Sequence, residues 1–83
     1  MNFSNNEIHL RAKVCVLKTD LMVLNRHIIV AKHLISTAPP NAPTVMLQRL
    51  EQILNELNTS VKEVLDMLVL TYNMLEELEE NSV

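Results

Sequence analysis

The chain has 83 residues, 48% of them hydrophobic, with no glycine, one cysteine and a net charge of −3. That length allows one small domain, which buries only about 60–65% of the surface its unfolded form exposes and so has a marginal core if it stands alone. Missing glycine argues against a Gly-rich phosphate loop. Cys15 alone excludes an internal disulfide or a cysteine-based zinc cluster, and an acidic chain with only Phe3 and Tyr72 as aromatics lacks the basic-aromatic surface that nucleic acid requires.

The first helix has an explicit start. Ser4 and Glu7 form an S-x-x-E capping box, and Phe3 and Ile8 sit where a hydrophobic staple would bracket it. The helix is expected over about residues 5–36, roughly 48 Å at about 1.5 Å per residue. Lys32 and His33 fall in its last turn, where cations suit the negative end of the helix dipole. The opening residues lack the basic start and cleavage site of a signal peptide. Lys18, Asp20, Arg26 and Lys32 interrupt the best apolar run, so no transmembrane span is expected. With a lone cysteine besides, an intracellular setting in cytoplasm or nucleus is the expectation.

This helix repeats every seven residues. Val14, Leu21, Ile28 and Ile35 occupy heptad position a, and Leu10, Leu17, Leu24 and Ala31 occupy d, which makes one seam. Cys15, Met22 and Ile29 then fall at b, and Val16, Val23 and Val30 at c, on the far side of the wheel. A helix apolar on two sides needs cover on two sides. Leaving such side chains wet forfeits about 1.5–3 kcal/mol each, against a total stability of only about 5–15 kcal/mol. A break near Asn25-Arg26-His27 would let a three-helix monomer cover its own second side, but neither glycine nor proline marks one.

Residues 36–43 read STAPPNAP. Pro39 and Pro40 end the first helix, because the residue before a proline avoids the α region. The expected loop is 37–41, with Asn41 as N-cap and Ala42-Pro43 opening the next helix; Thr44 is the alternative cap. Pro40-Asn41-Ala42-Pro43 also matches P-x-x-P, but a helix-to-helix corner explains these prolines better.

The second helix is expected over about 42–80. Leu47, Leu54, Val61, Leu68 and Leu75 take a; Leu50, Leu57, Val64, Thr71 and Leu78 take d. Such persistence argues for a coiled-coil-like seam. Thr71 is its polar member, and a seam threonine either sets register with a partner or bonds back to its own helix. Leu65, Met67, Val69, Leu70, Tyr72 and Met74 add apolar flanks around the seam. Asn58-Thr59-Ser60 weakens helix propensity and marks a soft spot.

Two long helices joined by a short proline loop form an antiparallel hairpin by default. The fold class is therefore all-α: a hairpin in one domain, 1–83, completing a four-helix bundle by dimerisation or by packing on partner helices. Residues 1–38 carry five cations against two acids, and residues 39–83 two cations against eight. The halves are thus complementary, and the hairpin brings Glu76–Glu80 toward Arg11 and the positive end of the first helix.

Catalytic chemistry finds no support. His9, His27 and His33 are never four apart, no Asp/Glu/His set recurs at metal spacing, and no Ser/His/Asp arrangement suggests itself. The histidines read as solvated, and Cys15, inside an apolar tetrad, as a packing residue rather than a nucleophile. No enzyme activity, cofactor, metal or small-molecule substrate is expected. The pattern resembles, in architecture alone, the small helical-hairpin subunits of cytoskeletal, chromosome-associated or vesicle-tethering assemblies; no diagnostic motif carries residues across. The expected function is a protein-binding assembly subunit, a homodimer or hetero-oligomer through its helices. The alternative is a small adaptor that binds one amphipathic helix of a target.

Overall fold

The computed structural model describes residues 5–81. It is all-helical: α1 spans Asn5–Ser36 and α2 spans Thr44–Asn81, packed as a hairpin 64 Å long and 17 × 14 Å across. The capping box and staple fall partly on Phe3 and Ser4, outside the described residues. Within α1, the Glu7 carboxylate accepts a hydrogen bond from Arg11 one turn on, at 3.1 Å. The helix is continuous through Asn25-Arg26-His27, so the chain does not fold into three helices.

The corner is built without glycine and without a left-handed residue among the described ones. At the end of α1 the carbonyl of His33 gathers three donors: the Thr37 amide at 2.9 Å, the Thr37 hydroxyl at 2.7 Å and the Ser36 hydroxyl at 3.0 Å. These satisfy a terminal carbonyl that has no partner further along the helix. The Ala42 amide then donates to Pro39 O at 2.9 Å and closes a turn with Pro40 and Asn41 at its centre.

That turn shifts the start of α2. Asn41 sits within the turn rather than capping a helix, and the helix begins at Thr44, two residues later than the sequence suggests. The carbonyl of Pro43 accepts the amides of Met46 at 3.0 Å and Leu47 at 3.3 Å, so Pro43 occupies the half-in cap position. The physical reason is Pro43: its ring keeps the residue before it, Ala42, out of the α region, so the helical ladder starts at the Pro43 carbonyl.

The two helices run antiparallel, and two contacts give the register. Arg11 Nη2 lies 3.6 Å from Glu79 Oε1, and Lys18 Nζ lies 5.9 Å from the centre of the Tyr72 ring. Seven residues forward on α1 correspond to seven residues back on α2, as two matched heptad repeats require. Val14, Leu17, Leu68 and Leu75 form the buried cluster, with Leu10, Leu21 and Val64 packed against it. Ile28 and Ala31 are buried nearer the corner. The Arg11–Glu79 pair also places a cation beside the acidic end of α2, whose last turn has no basic residue of its own.

Candidate protein-interaction surface

Heptad geometry sorts the side chains by face. Seam positions lie between the helices, and the structure brings them together. Val14, Leu17, Ile28 and Leu68 are buried, while Leu10, Leu21, Leu24, Leu50, Leu54, Leu57, Val61 and Val64 are half-buried. Thr71 is the most buried residue, 2% exposed, and its hydroxyl donates to Met67 O at 2.7 Å. It bonds back to its own helix, which satisfies a polar group that would be costly to bury bare. Thr59 does the same with Asn55 O at 3.0 Å, and α2 runs through the soft spot without a break.

The second set of apolar residues stands in solvent. On α1, Val16, Met22, Val23, Ile29 and Val30 are all exposed, Ile29 by 66%. Cys15, at position b, is exposed as well, on the side of α1 away from the seam. On α2, Leu65, Met67, Val69, Leu70, Tyr72 and Met74 are exposed. Five more exposed apolar side chains, Ile8, Leu34, Val45, Met46 and Ile53, were not in the sequence-based set. A signal for three of them was there. Met46 and Ile53 precede Met67 and Met74 in one heptad row, and Ile8 begins the row of Cys15, Met22 and Ile29.

The hairpin has two broad sides, and they differ. On one, position e of α1 faces position e of α2. Arg11 and Lys18 reach across this side to Glu79 and Tyr72, and the groove between is lined by Arg11, Tyr72, Glu76 and Glu79. On the other, position g faces position g. Here a groove near the corner is lined by His27, Val30, Leu34, Leu50, Ile53 and Leu57, and a second groove near the chain ends by His9, Leu10, Met74, Glu77 and Leu78. Rows c of α1 and g of α2 give this second side its apolar character.

His9, His27 and His33 are exposed and on separate turns. Among the described residues no group of three His, Cys, Asp or Glu side chains is placed to hold a metal, and no helix is long and apolar enough to cross a membrane. The chain matches no protein-family model, and comparison with curated proteins and with solved structures gives no match.

Proposed function

We propose that this chain is a non-catalytic assembly subunit of an intracellular helical complex, of cytoskeletal, chromosome-associated or tethering type. Its a/d seams make the hairpin, and its remaining apolar rows bind helices of other chains. One observation carries the reading: the large apolar side chains at positions b, c, e and g stay in solvent in the folded hairpin, Met22 and Leu70 each by 61%. Isolated exposed hydrophobics are ordinary, but contiguous apolar rows along a helix mark interfaces. Burying each fully would contribute up to about 1.5–3 kcal/mol, so a few of them together match the total stability of about 5–15 kcal/mol. Protein association is therefore what completes the core.

The groove lined by Val30, Leu34, Leu50, Ile53 and Leu57 favours a second reading, an adaptor that holds one amphipathic helix of a target. The two readings separate on the free protein. An adaptor with an open groove binds a dye for exposed apolar surface strongly, whereas an assembled bundle binds it weakly.

The test of the first reading is molar mass by light scattering across dilution, with helicity measured on the same fractions, for the native chain and for Met22→Glu/Val23→Glu. The native chain is expected in a defined oligomer, or in a complex with a helical partner. The double variant keeps its helix content and loses that association. A double variant that associates as the native chain does overturns the reading.

A further inference from the structure

We infer that the side of the hairpin bearing position g of both helices and position c of α1 is the docking site for a second copy of this chain, and that the two hairpins pack with their corners at the same end. This rests on the assembly reading above and names its partner and its face.

Two observations choose the face. The side carrying position e holds Arg11, Lys18 and Lys32 on α1, and its groove is already spanned by the Arg11–Glu79 and Lys18–Tyr72 contacts. Covering it with another apolar surface would strip water from three cations and displace contacts the hairpin makes with itself. The side carrying position g has no such strap, and its α1 row g holds one cation, Lys13, with one acid, Asp20. Val16, Val23 and Val30 line its α1 edge, and Ile53, Met67 and Met74 its α2 edge, all in solvent. In projection the hairpin offers roughly 1,000 Å² on a broad side, from its 64 × 17 Å extents, above the roughly 800 Å² per partner of a stable interface.

Charge chooses the partner and its orientation. α1 carries five cations against two acids, and α2 two cations against eight. A closed two-fold dimer can stack these helices in two ways. With corners at opposite ends, α1 lies on α1 and α2 on α2, which sets Glu56, Glu63 and Glu77 at the edge of this face, with Arg49 their one cation, against the same acids of the second α2. With corners at the same end, each α1 lies on the α2 of the second copy. Lys13 then stands level with Glu77 of the second copy, since Arg11 marks the level of Glu79 in the hairpin itself. Among the described residues neither Lys13 nor Glu77 has an ion-pair partner in its own chain. The second copy supplies an apolar side of equal length and, in Glu77, the acid that Lys13 lacks among the described residues of its own chain.

Neighbouring residues separate the two sides of α1. Val23 belongs to row c, on the proposed interface, and Met22 to row b, beside the strapped side. The experiment compares Val23→Glu with Met22→Glu by light scattering across dilution, with circular dichroism on each sample. The native chain and Met22→Glu are expected as dimers, while Val23→Glu keeps its helicity and dimerises at least ten-fold more weakly. A dimer broken by Met22→Glu and spared by Val23→Glu would overturn this inference and leave the assembly reading standing. A native chain that is a helical monomer at every concentration would overturn it too; the assembly reading would then fall only if no partner protein is lost with the double variant. Orientation is read separately from a spin-label distance in Cys15→Ser/Asn41→Cys. Corners at one end put the two loops about 10–15 Å apart, a helix spacing or its diagonal. A distance approaching the 64 Å length of the hairpin would overturn the stacking of α1 on α2.

Discussion

The two ends of the hairpin use the same seam pattern with different results. Away from the corner, Val14, Leu17, Leu68, Thr71 and Leu75 are buried. Toward the corner, Leu47, Leu50, Leu54, Leu57 and Val61 of α2 stay half-buried, although four of these five are leucines, while Ile28 and Ala31 of α1 are buried. What differs is the flank. Beside the well-buried end the groove is spanned, by Lys18 over the Tyr72 ring and by Arg11 reaching Glu79. Beside Leu57 and Val61 stand Asn58 and Ser60, both short, and nearer the corner Leu34 and Ile53 line a groove that stays open. A seam side chain is dried by its neighbours at e and g as much as by the residue it meets across the helices. The hydrophobic term follows the area removed from water, not the identity of the seam residue.

Four substitutions break or sharpen this contrast. The largest effect is expected in the seam itself. Leu68→Ala should cost about 2–5 kcal/mol of unfolding free energy, as for other buried leucines, and Leu54→Ala about half of that. Denaturant titration at one fixed protein concentration measures both, because association shifts apparent stability. Equal losses at the two positions would mean that the flanks do not matter. A smaller effect of opposite sign is expected from Asn58→Leu, which repeats at the looser end what Leu65 does one heptad on. It should stabilise by about 0.5 kcal/mol from helix propensity alone, and by more if the new side chain dries Leu54 and Leu57. The smallest is Arg11→Ala. With both partners well exposed, loss of the Arg11–Glu79 contact should cost under about 0.5 kcal/mol, and the difference should vanish in about 1 M salt. A loss that survives high salt would show Arg11 acting by packing its stem on the groove instead.

Much of this fold is legible from periodicity because the cause is local. A strict seven-residue repeat of apolar residues names the seam of each helix, and Leu17, Leu24, Leu68 and Leu75 can be placed there from their spacing alone. Pro39 and Pro40 end α1 by sterics within the adjacent residue. The start of α2 was less legible. Asn41 is a good cap by composition, yet the Ala42–Pro39 hydrogen bond draws it into a turn, and that bond depends on how the whole corner closes. By contrast, position b of the wheel already sets Cys15 away from the seam, and it is exposed in the hairpin.

By itself, then, the sequence determined two helices, their seams, their complementary charges and the excess of apolar residues over what one seam can bury. These follow from residue type and spacing, which a helix translates directly into faces. Only the tertiary structure decided that the two broad sides are unlike. Periodicity treats positions e and g as equivalent flanks of a seam. Antiparallel packing puts e against e and g against g, so one side gathers Arg11, Lys18, Tyr72 and Glu79 and the other gathers Val30, Ile53 and Met74. Which side chains meet across the helices depends on chain direction and register, and both come into being only when the hairpin closes.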